Sequence, residues 1–138
     1  MRLIVAGSRT VTDERFVHKK LEALTADYKF SSADRIDVEC CGLAQGPDLI
    51  GKDWAGTRGI PVKEFVPDWE GLGNRAGILR NEEMGDYAHA QGQGWLIAFL
   101  DVTNDTLGTS WTRHMISYAK MFGMRVDVVR CKCVPLKN

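Results

Sequence analysis

The sequence of 138 residues has no excess of either charge, because 18 basic residues balance 18 acidic ones. Proteins that bind the phosphate backbone of nucleic acids usually carry a net positive field, so nucleic acid is a disfavoured partner. No apolar run is long enough to cross a bilayer, and residues 1–3 lead directly into a predicted strand without a signal peptide. We therefore expect a cytoplasmic protein with no membrane partner.

The sequence also lacks the common metal-binding patterns. Its four cysteines form the pairs Cys40-Cys41 and Cys131-x-Cys133, and neither pair has the two-residue spacer of common zinc sites. The three histidines are scattered, and no two of them stand four residues apart. Reduced thiols of a cytoplasmic protein explain the cysteines better than zinc does. We expect neither a metal nor any other cofactor.

Apolar runs alternate with helical patterns along the whole chain. Five runs are predicted to be strands, at residues 2–7, 36–41, 62–66, 95–100 and 125–129. Of the helices between them, the first begins at about Asp13 with Thr12 as its cap, and the others span residues 46–59, 74–87 and 108–122. Such alternation produces right-handed crossovers and a parallel sheet with helices on both faces.

The predicted fold class is therefore α/β, a single-domain, Rossmann-like, doubly wound parallel sheet of about five strands. We expect the strand order 3-2-1-4-5, which makes the first and fourth strands central neighbours. In such a sheet the ligand binds outside the carboxyl ends of the strands, at the point where the strand order reverses.

Glycines and polar residues follow the strands that meet at this point. Gly7-Ser8-Arg9-Thr10 follows the first strand, and Asp101 follows the fourth. Gly108-Thr109-Ser110 then opens a helix, whose unpaired N–H groups and positive dipole end favour an anion. The segment after the second strand would close one side of the crevice with Gly42, Ala44, Gly46 and Asp48.

Three further residues are candidates for ligand contact. Arg80 supplies a planar guanidinium that suits phosphate geometry, and Asn81 adds an amide. Trp69 can stack on a base or cover the core. Each candidate also has a purely structural interpretation, since Arg80 can pair with Glu82 or Glu83 of its own helix.

These segments, in this order and spacing, resemble the YspA/YpsA-related branch of the SLOG superfamily. The similar runs cover nearly the whole chain: Gly7-Ser8-Arg9, Gly42 to Asp48, Gly59 to Val62, Asp68-Trp69, Gly73 to Met84, and Gly108-Thr109. The superfamily includes the cytokinin-activating LOG phosphoribohydrolases and, more remotely, the DprA proteins. The resemblance implies a nucleotide-binding domain at residues 1–130, a C-terminal tail at 131–138, homo-oligomers, and an origin in bacteria or their phages.

The resemblance also implies roles for the candidate residues. Ser8, Arg9 and Gly108 to Ser110 would hold phosphate. Asp48, Arg80 and Asn81 would contact the ribose or a second phosphate. The ligand would be a nucleotide or a nucleotide-derived small molecule.

One departure from the family pattern concerns catalysis. LOG enzymes have a Pro-Gly-Gly-x-Gly-Thr-x-x-Glu run, whose glutamate works with the arginine that corresponds here to Arg80, but Thr112 occupies the glutamate position. A carboxylate stabilises the oxocarbenium-like state of N-glycosidic cleavage, and a threonine does not. We therefore predict a sensor or sequestering protein. The alternative is a phosphoribohydrolase in which Asp48, Asp101 or Asp105 replaces the glutamate.

Overall fold

The computed structural model describes residues 1–26, 35–103 and 107–133, without the side chains of 107–109. The described strands form one parallel sheet in the order β3-β2-β1-β4-β5, which confirms the predicted topology. The strands are β1 (Arg2–Gly7), β2 (Val38–Cys41), β3 (Val62–Glu64), β4 (Gly94–Asp101) and β5 (Arg125–Cys131). The helices are α1 (Glu14–Thr25), α2 (Pro47–Thr57), α3 (Trp69–Leu72), α4 (Arg75–His89) and α5 (Leu107–Met121).

The two faces of the sheet carry separate hydrophobic clusters, because successive strand residues point to opposite faces. In β1, Leu3 and Val5 pack with the buried residues of α1 and α2, whereas Ile4 and Ala6 pack with those of α4 and α5. All eight residues of β4 are buried, as expected of a central strand that is covered on both faces. The α/β class with helices on both faces is therefore confirmed.

The ends of several elements differ from the predictions for local reasons. The cap of α1 is Asp13 and not Thr12, because Asp13 Oδ1 accepts the Phe16 N–H at 3.1 Å. The segment at Trp69, which lies outside the predicted strands and helices, forms the short helix α3. Asp68 Oδ1 caps this helix by accepting the Gly71 N–H at 2.9 Å.

The last strand is longer than predicted. β5 runs to Cys131, which is one residue past the predicted end of the domain, and Cys131 packs into the cluster beneath α1 and α2. The division into a domain and a tail stays a prediction, and residues 134–138 of that tail lie outside the described residues.

Candidate functional site

An open cleft lies at the carboxyl ends of β1 and β2, on the face of the sheet that α4 and α5 cover. Its volume is about 420 Å³, which lies in the range of small-molecule sites. The loops after these strands, α3, α4 and α5 contribute its lining residues, which are Arg9, Leu43, Ala44, Gln45, Pro67, Trp69, Asn74, Arg80 and Trp111. The charged residues in this set are the two arginines, so the cleft favours an anion.

A narrow recess adjoins the cleft and shares Arg9, Ala44, Arg80 and Trp111 with it. Its volume is about 10 Å³, roughly the least that holds one water molecule. The remaining residues around the recess are Ala6, Gly7, Asp48, Asn81, Thr112 and Met115. Its polar side chains, apart from Arg9, are at most 5% exposed, so the surroundings of the recess contain little water.

Asp48 lies in the first turn of α2, where the helix dipole favours a negative charge. Its Oδ2 accepts the Ala44 N–H at 3.4 Å. Burial raises the pKa of Asp48 to about 6, although the nearby Arg80 and the N–H groups of Ala44 and Gly7 oppose the rise. Asp48 is therefore mostly ionised at neutral pH, and a modest change in its surroundings would protonate it.

Arg80 extends from α4 toward the same recess. Its Nη1 donates to the Gly42 carbonyl oxygen at 3.1 Å, and its Nε and Nη2 donate to Asn81 Oδ1 at 3.3 and 3.1 Å. Asn81 is itself held by α5, because its Nδ2 donates to the Trp111 carbonyl oxygen at 2.9 Å. Three of the five guanidinium N–H groups thus fix the plane of the side chain, and burial lowers its pKa.

Two of the predicted glycines allow close packing within the protein. A Cβ on Gly42 would lie 2.7 Å from Asp48 Oδ2 and 2.9 Å from Arg80 Nε, so Gly42 lets these two groups converge. A Cβ on Gly7 would lie 2.5 Å from Pro47 Cγ, so Gly7 lets α2 pack against the end of β1. Gly46 precedes α2 with a φ of 87°, a conformation that favours glycine.

Two tryptophans form an aromatic wall beside the cleft. The rings of Trp69 and Trp111 are 5.1 Å apart between centroids, at an angle of 38°. Trp111 is nearly buried against Gly77, whereas Trp69 is 42% exposed. The guanidinium carbon of Arg9 lies 5.3 Å from the centre of the Trp111 ring. An exposed aromatic face beside a cation suits a planar ligand that carries negative charge.

Protein hydrogen bonds join the loops that follow β1 and β4, at the crevice where we predict the site. Ser8 is fully buried, and its Oγ accepts the Asp101 N–H at 3.0 Å. Asp101 Oδ2 accepts the Thr10 hydroxyl, and Oδ1 accepts the N–H and hydroxyl of Thr103 at 2.8 and 2.7 Å. Ser8, Thr10 and Asp101 therefore join two loops, and the cleft lies beside them, with Arg9 and Trp111 in its lining.

The remaining predicted residues lie at or near the first turns of α5. The helix begins at Leu107, so Gly108 and Thr109 are in its first turn, but their side chains lie outside the described ones. Ser110 is exposed. Asp105, an alternative catalytic carboxylate, lies outside the described residues. Thr112 is buried and lines the recess with Asp48 and Arg80.

Comparison with known families agrees with this architecture. Residues 1–71, just over half of the chain, match the family described as YAcAr, the YspA, cpYpsA-related SLOG family. The chain belongs to this SLOG family. The matched part contains Arg9, Asp48 and Trp69, and it ends before Arg80 and α5. It is therefore shorter than the stretch of the sequence over which we found runs similar to the family. Searches of curated proteins and of solved structures found no match.

Sequence reasoning missed one ionisable residue of this SLOG domain, Glu39 in β2. The side chain is fully buried, and among the described residues no hydrogen bond of normal geometry reaches either carboxylate oxygen. Burial, and then the charge of Asp48, raise the pKa of Glu39 to about 8, which Val5 N–H and Lys52 offset only in part. A charged residue directly before the apolar pair Cys40-Cys41, at the end of a predicted strand, was the signal that could have identified it.

The loop that joins β2 to α2 has an unusual backbone beside the cleft. Leu43 has a φ of 64°, a left-handed conformation that costs a residue other than glycine about 1 kcal/mol or more. The buried Cys41 thiol stabilises this loop, because Sγ donates to the Asp48 carbonyl oxygen at 3.3 Å and accepts the Leu43 N–H at 3.4 Å. Burial raises the pKa of Cys41 to about 12, so the thiol keeps the proton that it donates.

Among the described residues, no group of three or more histidine, cysteine, aspartate or glutamate side chains is arranged to hold a metal ion. Within the same parts of the chain, no helix has both the length and the apolar character needed to cross a membrane.

Proposed function

We propose that this SLOG domain binds a nucleotide or a nucleotide-derived small molecule, as a sensor or a sequestering protein. The observation that carries the proposal is the cleft that Arg9 and Arg80 line together with Trp69, whose side chain is partly exposed. Arginine suits a phosphate, and an exposed indole suits a base. Membership of the SLOG family supports a ligand of this class, and the mixed polar and aromatic lining agrees with it.

Calorimetric titration with AMP and with ADP-ribose tests this proposal. Arg9 is exposed, so Arg9→Ala should weaken binding by about 1.5 kcal/mol without changing the stability of the fold. Arg130→Ala is the matched control, since Arg130 is an exposed arginine of β5 that does not line the cleft. Failure of the wild-type protein to bind either nucleotide, or equal losses for the two variants, would contradict the proposal.

Asp48 favours a second function, the phosphoribohydrolase. The glutamate position of the LOG enzymes holds Thr112, and Thr112 lines the same recess as Asp48 and Arg80. A carboxylate is therefore present beside the arginine, although it comes from α2 and not from α5. Such a carboxylate could stabilise positive charge that develops on a ribose during cleavage of the N-glycosidic bond.

Chromatography after prolonged incubation with AMP, GMP or ADP-ribose separates the two functions. A sensor or sequestering protein releases no free base. Steady release of adenine or guanine in proportion to protein, lost in both Asp48→Asn and Arg80→Ala, would overturn the non-catalytic function and establish the hydrolase. Thermal unfolding of both variants shows whether the loss comes from the site or from the fold.

The setting in which this function operates stays a prediction. We propose a cytoplasmic protein of bacterial or phage origin that forms homo-oligomers. Light scattering of the purified protein, with and without AMP, measures the oligomeric state directly.

A further inference from the structure

The recess and the cleft differ in size and in chemistry. The cleft has a volume of about 420 Å³ with a partly aromatic lining, whereas the recess has about 10 Å³ and is surrounded by buried polar side chains. A purine ring or a phosphate group is much larger than one water molecule, so neither can enter the recess as it stands. A single hydroxyl group can, since it is close to water in size.

The polar groups of the recess match a hydroxyl better than they match a phosphate. The Asp48 carboxylate accepts hydrogen bonds and would repel a phosphate, whereas the Arg80 guanidinium can only donate. A hydroxyl both donates and accepts, so it can pair with both side chains at once. Gly42 permits this arrangement, because a Cβ there would lie 2.7 Å from Asp48 Oδ2 and 2.9 Å from Arg80 Nε.

We propose that the recess binds one hydroxyl of the ribose 2′,3′ pair, so that the protein selects ribonucleotides over deoxyribonucleotides. The inference rests on the proposed function, because it assigns the sugar of a nucleotide whose base and phosphate occupy the wider cleft. It also resolves the alternative left open by the sequence, in which Asp48 and Arg80 contact either the ribose or a second phosphate.

The selectivity comes from burial. Asp48 is 3% exposed and Arg80 is 5% exposed. A bound nucleotide would exclude water from such a recess. When the nucleotide lacks the hydroxyl, water therefore cannot take the place of that hydroxyl at low cost. A buried polar group that loses its hydrogen-bond partner lowers the affinity strongly. We therefore expect the deoxy analogue that lacks the bound hydroxyl to bind about 10- to 100-fold more weakly than the ribonucleotide.

Calorimetric titration of the wild-type protein with AMP, 2′-deoxy-AMP and 3′-deoxy-AMP tests the inference without any substitution. We expect at least one deoxy analogue to bind tenfold or more weakly than AMP. Binding of all three within about twofold would overturn the inference and leave the proposed function standing. Binding of none of the three would overturn the proposed function and the inference together.

Asp48→Asn locates the discrimination. In this variant the affinity for AMP should fall toward the affinity for the weaker deoxy analogue. The affinity for that analogue should itself change less than threefold. This is the result that a double-mutant cycle gives for two groups in direct contact. Asp53→Asn on the exposed face of α2 is the control and should keep the full discrimination. Full discrimination in both Asp48→Asn and Asp48→Ala, which has no acceptor at all, would show that the hydroxyl binds elsewhere and would overturn the assignment to the recess.

Discussion

Asp48 and Asp101 are both almost completely buried at the carboxyl end of the sheet, yet their surroundings differ. Both oxygens of Asp101 accept hydrogen bonds from the loops after β1 and β4. Within the described part of the chain, Asp48 has only backbone N–H groups as hydrogen-bond donors, including those of Ala44 and Gly7, and it lines a recess that leads into the cleft. Burial of a carboxylate is therefore not enough to identify a binding site. The identity of its partners, and the presence of space beside it, separate a structural aspartate from one that can meet a ligand.

The largest expected difference between the two aspartates is in stability. Asp101→Ala removes the acceptor for Thr10 and for Thr103, so it should lower the free energy of unfolding by about 3–4 kcal/mol. Asp48→Asn removes a charge whose burial is unfavourable but also leaves the buried Arg80 guanidinium without its nearby carboxylate, so it should lower that free energy by a smaller amount, about 1–2 kcal/mol at pH 7. Urea denaturation measures both values. Equal destabilisation by the two substitutions would contradict the distinction between them.

Glu39 extends the comparison to a carboxylate for which the described residues provide no normal hydrogen bond. We expect Glu39→Gln to raise the free energy of unfolding by about 2–3 kcal/mol at pH 8, because the substitution removes a buried charge. This increase in the free energy of unfolding should become smaller as the pH falls toward 4.5. Urea denaturation at several pH values measures it, with Glu64→Gln, an exposed residue of β3, as the control.

The direction of this pH dependence follows from the proton affinity of Glu39. In the folded state the pKa of Glu39 is raised to about 8, whereas its ordinary value is 4.5. Between these values the folded protein binds more protons than the unfolded chain, so the stability of the wild-type protein falls as the pH rises. A gain from Glu39→Gln that is independent of pH would show that Glu39 is not protonated in the folded protein.

Gly42→Ala should have a smaller effect on stability but a direct effect on the recess. The added Cβ would lie 2.7 Å from Asp48 Oδ2, so the side chain must move at a cost of about 1–2 kcal/mol. The variant should also lose affinity for AMP, measured by calorimetry. Gly56→Ala is the matched control, because a Cβ there meets nothing within 4 Å and should stabilise α2 by about 0.5–1 kcal/mol. Unchanged AMP binding in Gly42→Ala would contradict the account of the recess.

The fold was predictable because its strands are strongly marked. The run from Trp95 to Leu100 is continuously apolar, and its burial on both faces places it at the centre of a parallel sheet. The helix at Trp69 was not predictable from periodicity, since it has only four residues and depends on one capping bond from Asp68. Local hydrogen bonds of this kind also decided the cap of α1.

The candidate site was predictable only in part. Glycines and polar residues after the strands predict a site at the carboxyl end of the sheet, where the cleft also lies, but the sequence does not show which of them bond to each other. Ser8 and Asp101 bond to each other across the predicted crevice, and the cleft beside them is lined by Arg9, the loop after β2 and Trp111. Arg80 and Asp48 come from different helices, and their convergence depends on the packing of both against Gly42.

Nuclear magnetic resonance of the four tryptophan indole N–H groups during titration with AMP tests the central claim most directly. Trp69 and Trp111 lie at the cleft, so the account predicts that their resonances shift. Trp54 and Trp95 are buried beneath the other face of the sheet, where their Nε1 groups donate to Glu22 and Asp127 at 2.7 Å, so their resonances should stay in place. Shifts confined to Trp54 and Trp95, or no shift at any of the four, would contradict nucleotide binding in the cleft.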